Sequence, residues 1–243
     1  MITNCYREPL DMEDSECTGD YEQYLIDALK SDEQGRLMYS LLQAIGRKAL
    51  EDGYVDTSNF PEDPLLIDIF RSAYTTMYAW FIPDRKWVRK FCAFLRKENI
   101  HTVLEVAGGS GFTAALVTTW MSKQYPTHKL NWICTDVYGS SEPSYSKVQK
   151  FTAVDAAKNF VDQADLLFFS WWPFQGDEQD ILATKEFLNA DKSVVVVGET
   201  GGCTGSEFFH EPSYSGFTAQ YTDWGPKSFP GIRDRTSIIR QEQ

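Results

Sequence analysis

The residues best suited to chemistry lie in one short run. Residues 103–113 read V-L-E-V-A-G-G-S-G-F-T, an apolar start followed by three glycines, Gly108, Gly109 and Gly111. Glycines at such a turn let the backbone approach a ligand that a Cβ would hold away. Asp136 ends the next apolar run, 25 residues past Gly111, and a carboxylate there can accept hydrogen bonds from both hydroxyls of a ribose. An adenosine-bearing ligand is therefore expected, and two kinds compete. Gly109, Gly111 and Ala114 satisfy G-x-G-x-x-G/A, the pattern of a nicotinamide dinucleotide site. Glu105 argues the other way. A dinucleotide strand stays apolar up to its glycines, whereas an acid at its end suits a cationic ligand such as the ammonium of a methionine moiety.

A second group is Ser170, Trp171, Trp172, Pro173 and Phe174, directly after the apolar run DLLFF. Open α/β sheets place their ligand crevice at the carboxyl ends of strands, where this group would sit. Two adjacent tryptophans also read as core or interface anchors. Adjacent strand residues point to opposite faces, however, so both cannot enter the same core layer. Glu199 closes the later run SVVVVG and reads equally as a base or as an acid that fixes its loop. Asp155, in T-A-V-D-A-A, reads from its neighbours as the N-cap of a helix running from Ala156. His101, His128 and His210 are isolated, and no metal-ligand spacing is visible.

The elements that must position these residues follow from periodicity. Residues 21–50 read helical, with Asp32 able to cap a second helix that Gly53 ends, and residues 64–77 read as a third. Pro83 opens a helix that buries Trp87, Val88, Phe91, Cys92, Phe94 and Leu95 and exposes Arg85, Lys86, Arg89, Lys90, Arg96 and Lys97. From residue 101 short apolar runs at 102–106, 130–135, 165–170 and 193–197 read as buried parallel strands, with a weaker one at 148–154. Residues 112–124, 156–163 and 178–189 have the length of crossover helices. Alternation of this kind predicts a doubly wound, Rossmann-like α/β sheet. It stops after residue 197, where residues 217–224 and 236–240 read as a hairpin, so the expected sheet has seven strands and ends antiparallel.

Composition narrows the classes. Of 243 residues, 42% are hydrophobic and 14% aromatic, enough for a packed core and against a disordered chain. No apolar stretch approaches the ~18 residues of a membrane span, and the acidic start MITNCYREPLDMEDSE is unlike a secretory or transit signal. Five scattered cysteines without a C-x-x-C pair exclude a disulfide framework and suit a reducing, cytoplasmic setting. A net charge of −12 argues against a general nucleic-acid binder. The charge is uneven: residues 8–33 hold ten acids and one base, Lys30, while the run from Arg85 to Lys97 is basic. A local patch for phosphates thus survives, as does the plainer reading of solvated helix faces. The expected organisation is an acidic tail over 1–19, a helical extension over 20–75 and an α/β domain over 76–243.

On the 103–113 run the chain resembles the class I S-adenosylmethionine-dependent methyltransferases, whose first motif is h-h-[DE]-x-G-x-G-x-G. Glu105, Gly109 and Gly111 match, and Ala107 stands where the first glycine would be. The resemblance covers residues 78–240 and includes the terminal hairpin. It is closest to a branch carrying Y-x-W-x-I-P, S-W-P-P-Y and G-E-x-x-G-G, which here read Tyr78-Ala79-Trp80-Phe81-Ile82-Pro83, Ser170-Trp171-Trp172-Pro173-Phe174 and Gly198-Glu199-Thr200-Gly201-Gly202. What it implies is S-adenosylmethionine as cofactor, held by Tyr78, Trp80, Glu105, Ala107, Gly108, Gly109, Gly111, Asp136, Val137, Asp155 and Ala156. Within that set Glu105 and the turn hold the methionine end, Asp136 the ribose, and Asp155 and the Ala156 backbone the adenine. Residues 170–174 resemble the [DNS]-P-P-[YFW] motif of enzymes that methylate amino nitrogens, with Trp171 and Trp172 in place of the motif's acid or amide and first proline. The catalytic set implied is Ser170, Trp171, Trp172, Pro173, Phe174 and Glu199, with no metal.

The implied reaction is an in-line methyl transfer for which the protein supplies position and desolvation. A reading from another class is a non-catalytic methyltransferase-like fold that binds a protein partner through its N-terminal helices. A dinucleotide-dependent oxidoreductase is a third, weakened by Glu105.

Overall fold

A computed structural model describes residues 27, 30, 31, 33–139, 144–172, 178–199, 204, 205 and 217–241. Among the elements whose bounds are described, three α-helices precede the strands, α1 (Glu33–Asp52), α2 (Pro64–Met77) and α3 (Arg85–Lys97). Alternation follows, as β1 (Thr102–Glu105), α4 (Phe112–Gln124), β2 (Asn131–Asp136), β3 (Val148–Lys150), α5 (Ala153–Phe160), β4 (Leu166–Ser170), α6 (Gln179–Asn189) and β5 (Ser193–Gly198). Two last strands, β6 (Phe217–Tyr221) and β7 (Arg235–Gln241), end the chain of elements.

The strands form one seven-stranded sheet in the order β3-β2-β1-β4-β5-β7-β6. Pairs among β1 to β5 are parallel, while β7 runs antiparallel to both β5 and β6. This is the expected Rossmann-like sheet with a terminal antiparallel hairpin. β1 lies between β2 and β4, so the chain winds away from it in both directions, and the crevice at its carboxyl end is the switch point of such folds.

Strand β4 shows why the centre forms. Leu166, Leu167, Phe168 and Phe169 are all fully buried, because helices cover both faces of a parallel sheet. Phe168 joins Val103, Val195 and Val197 under α3 and α4, with Trp87, Phe91 and Val117. Phe169 joins Leu104 and Val194 under α5 and α6, with Ala157 and Phe187. A third cluster joins Leu42 and Ile45 of α1 to Phe70 and Tyr74 of α2, and extends to Phe112 and Leu116 of α4 and to Phe229 in the β6–β7 loop. The N-terminal helices are thus packed onto the face that starts α4, beside the carboxyl ends of the strands.

Helix α3 buries the six residues its period requires, and the basic ones lie on its outer side. Asp84, not Pro83, stands at its start, accepting from the Trp87 amide at 2.8 Å. Several of its cations are engaged: Lys90 pairs with Asp223, and the Arg96 guanidinium lies 4.2 Å from the centre of the Tyr125 ring.

Strand β3 is shorter than its apolar run suggests. It ends at Lys150 because Thr152 is extended and its Oγ1 accepts from the Asp155 amide at 3.2 Å, opening α5 at Ala153. Thr152 is therefore the cap of this helix, and Asp155 is not. Helix α1 is described from Glu33, and Asp32 lies outside the described residues.

Candidate cofactor and acceptor sites

The turn after β1 is held from both sides. Gly108 donates to the Thr135 carbonyl at 3.0 Å, Gly109 to Asp136 Oδ2 at 3.0 Å, and Gly111 closes the turn on the Gly108 carbonyl at 2.9 Å. Ser110 donates its hydroxyl to the Tyr78 carbonyl at 2.7 Å, which ties the turn to the segment before α3. Each glycine has its own reason. A Cβ on Gly108 would run into Cys134 Sγ and the Glu105 side chain, so that position is closed by the protein itself. Gly109 adopts φ +53° and a Cβ there would meet nothing within 4 Å, so its outer side is open to a ligand.

Ala107, where the family pattern has glycine, also adopts a left-handed φ of 52°. An L-residue in this region is strained by about 1–2 kcal/mol, and glycine returns part of that through its greater freedom when unfolded. Ala107→Gly is expected to stabilise the fold by about 0.5–1 kcal/mol in chemical denaturation. A loss of stability would show that the alanine methyl makes a contact worth more than the strain.

Asp136 is aimed by its own surroundings. Oδ2 accepts from Gly109 and Oδ1 accepts from the Tyr138 amide at 3.0 Å, and each oxygen retains a second lone pair. The half-buried carboxylate thus keeps acceptor capacity with its orientation set by backbone donors, and Val137 beside it is half exposed. The Asp136 carbonyl accepts from Phe151, so the start of α5 lies beside this strand end.

Glu105 lies beneath the turn rather than on its open side. It is 1% exposed, pairs in register with Cys134, and its Oε2 accepts from the Trp132 indole at 2.8 Å. Burial pushes its carboxyl up to about 7; the Trp132 and Cys134 hydrogen bonds pull it back in part, and Asp136 adds repulsion.

Among the other expected cofactor residues, Tyr78 is buried, its hydroxyl donates to the Leu42 carbonyl at 2.8 Å, and its ring packs 4.7 Å from that of Phe112. Burial also raises its phenol well above the ordinary range. Asp155 is exposed in the first turn of α5. The Ala156 amide, the backbone donor expected for adenine, donates to the Thr152 carbonyl at 2.9 Å.

At the end of β4, Ser170 pairs in register with Val197. Trp171 then takes a left-handed φ of 53° and donates its amide to the Val197 carbonyl at 2.8 Å. The two tryptophans separate as the alternation of faces requires. Trp171 packs on the cluster under α3 and α4, whereas Trp172 packs on the other face, 6.1 Å from Phe169 between ring centres. The Trp172 carbonyl accepts from Gly205, and its buried indole nitrogen has no hydrogen-bond partner among the described residues. Pro173 and Phe174 lie outside the described residues.

Trp171 stacks on Trp80 with ring centres 5.5 Å apart and planes 26° apart, and Trp80 is 54% exposed. The Trp171 indole nitrogen donates to Asp234 Oδ1 at 2.8 Å. Asp234, in the loop before β7, was not singled out from the sequence. It is 8% exposed and its carboxyl is pushed up to about 7 by burial; bonds from Trp171 and Ser228 and the charge of Arg71 act downward, and Glu199 acts upward. No spacing rule joins Asp234 to Trp171, 63 residues away; a buried acid beside a strand end is visible only in the fold. His101 and His128 stack 4.4 Å apart at the opposite, amino end of the sheet, bonded to the Lys129 and Ile100 carbonyls. His210 lies outside the described residues.

No family model matches the chain, and no curated protein matches its sequence. Among solved structures it is similar to human N-acetylserotonin methyltransferase in complex with SAM, at 13% identity and a TM-score of 0.42, covering 83% of this chain and 67% of that one. It is similar also to the CMeT domain of the citrinin polyketide synthase, at 12% identity and a TM-score of 0.46, covering 88% and 71%. A third is the O-methyltransferase from Bacillus cereus in complex with SAH, at 11% identity and a TM-score of 0.41, covering 91% and 97%. The likenesses are distant, and the functional reading rests on the chain's own residues.

Proposed function

We propose that this chain is an S-adenosylmethionine-dependent methyltransferase acting on an amino nitrogen of a planar acceptor. The observation that carries the reading is the turn at residues 107–111, at the switch point of the sheet, with Asp136 locked to its Gly109 amide. These residues fit the cofactor. Gly109 leaves open space over the turn, Asp136 retains acceptor capacity for two ribose hydroxyls, and Glu105 places a carboxyl beneath the position expected for the methionine ammonium. Asp155, exposed at the start of α5, remains the acid proposed for the adenine amino group.

The cofactor would supply an electrophilic methyl group on a sulfonium. The chain's own part is positional and electrostatic. Trp80, which the resemblance placed in the cofactor set, is reassigned to the acceptor: its open face, stacked on Trp171, offers a planar acceptor a surface and favours positive charge developing on it. Transfer of that methyl to the acceptor nitrogen would leave the carbon–sulfur electron pair on sulfur, and the chain's residues would hold the nitrogen in line with the methyl. The proton then shed by nitrogen can pass to Glu199 or to solvent, Glu199 being half-buried just after β5. Ser170 and the carbonyls that follow are the proposed acceptors for the amine hydrogens, with Phe174 stacking on its ring.

Calorimetric titration with S-adenosylmethionine, S-adenosylhomocysteine and NAD tests the reading. Binding of the first two without the third is expected. No detectable binding at millimolar ligand would instead leave the non-catalytic, protein-binding reading. Once an acceptor is found, Phe174→Ala should lower turnover while cofactor affinity stays within a few-fold. Loss of cofactor binding with normal turnover at saturation would move Phe174 out of the acceptor site.

A further inference from the structure

We infer that Asp234 is a positioning residue of the acceptor site, holding the Trp171 indole and through it the Trp80–Trp171 stack on which a planar, nitrogen-bearing acceptor lies. The inference rests on the methyltransferase reading. Trp171 carries an unfavourable left-handed backbone for a bulky residue, and such a conformation persists only where its surroundings over-determine it. Two contacts do this. The amide is tied to the Val197 carbonyl at 2.8 Å, and the indole N–H is tied to Asp234 Oδ1 at 2.8 Å. The first fixes the backbone; the second fixes the ring about its side-chain torsions.

Asp234 is itself built into place. Its Oδ2 accepts from Ser228 Oγ at 3.2 Å, and Ser228 Oγ accepts from the Asp234 amide at 3.0 Å. The loop carrying both is anchored by Phe229, which is buried against Phe60, Phe70 and Tyr74. A buried hydrogen-bonded carboxyl thus backs the half-buried ring, while the front ring, Trp80, is 54% exposed although one of its faces is already covered by Trp171. Burying an acid in order to hold one indole is unfavourable for the fold alone, since an apolar neighbour would pack the ring without desolvating a carboxyl. An ordered aromatic surface facing outward at the strand ends gives that arrangement a use.

The test uses the full chain saturated with S-adenosylhomocysteine and N-methylpyridinium as the probe, a planar nitrogen that already bears a methyl group. Indoles stacked this closely are expected to give a paired circular-dichroism band, and the probe is expected to quench tryptophan fluorescence saturably. Asp234→Ala should abolish the paired band and weaken the probe about tenfold or more, as expected for loss of an ordered cation–π surface, while S-adenosylhomocysteine affinity stays within about twofold. Asp234→Asn retains an acceptor oxygen for the indole N–H and should restore both signals. Trp171→Phe, which keeps a ring but has no donor, should resemble Asp234→Ala.

The inference is overturned if Asp234→Ala leaves the band and probe affinity unchanged, or if Asp234→Asn is as damaging as Asp234→Ala. It is overturned too if the probe binds only when S-adenosylhomocysteine is absent, because the stack would then belong to the cofactor pocket. Failure of the wild-type chain to bind S-adenosylhomocysteine at all would instead count against the methyltransferase reading, and the band and its rescue by asparagine would still judge the role of Asp234.

Discussion

Glu105→Gln is expected to stabilise the fold by about 3 kcal/mol above pH 7 and by about 1 kcal/mol or less near pH 5. Burial moves the Glu105 carboxyl from 4.5 to about 7 in the folded chain, and each pKa unit corresponds to ~1.4 kcal/mol. The sign follows from which form folding prefers. The folded state favours the protonated acid, so this contribution is fully present below pH 4.5 and is lost as pH rises through 7. Glutamine never ionises and can still accept from the Trp132 indole through its amide oxygen. Urea denaturation of both proteins at pH 5 and pH 8 makes the comparison; an equal difference at the two pH values would show that ionisation of Glu105 does not set it. Wild-type stability should fall over the same pH window through Asp234 as well, because burial raises that group to about 7 too.

The same substitution bears on the proposed cofactor. An ammonium above the turn would favour the ionised carboxylate and lower its pKa. Cofactor affinity of the wild-type chain should therefore rise with pH through about 7, with a proton released on binding, and Glu105→Gln should flatten that dependence. A chain that keeps an acid buried against its own stability has a candidate reason in this exchange.

Asp136→Ala is expected to weaken S-adenosylmethionine binding by about 1.5–3 kcal/mol, roughly tenfold to more than a hundredfold, the range for hydrogen bonds to a charged group. The substitution also removes the acceptor that fixes the Gly109 amide, so the turn and the ribose site loosen together. Asp136→Asn, which keeps one acceptor oxygen, should fall between the two. Calorimetry on protein whose melting temperature is checked in parallel makes the measurement. Unchanged affinity would place the ribose elsewhere.

Much of this arrangement was legible in the chain because it depends on short-range pattern. The alternation of apolar runs and helical segments from residue 101 onward, and its end after the SVVVV run, anticipate a sheet whose last two strands are antiparallel. Parallel strands buried on both faces must be apolar throughout, and crossover helices must be long enough to return the chain, so periodicity alone separates the two. Local competition was harder to read. The run at 148–154 carries strand-like residues, but Thr152 can satisfy the Asp155 amide, and that single cap ends β3 at Lys150 and starts a helix. A cap is one side-chain contact that composition does not rank against strand propensity.

The sequence by itself determined the order of elements, the Gly-rich turn after β1 and the acid at the end of β2, since all three follow from spacing along the chain. Only the tertiary structure decided which side of the turn Glu105 occupies, that the Tyr78 hydroxyl is used in packing, and that Asp234 stands behind Trp171. The physical reason is distance in sequence. The Tyr78 hydroxyl bonds to a carbonyl 36 residues back, the Trp132 indole to Glu105 across 27, and the Trp171 indole to Asp234 across 63. Such contacts exist once the sheet has brought its strand ends to one edge, and burial there pushes the carboxyls of Glu105 and Asp234 upward.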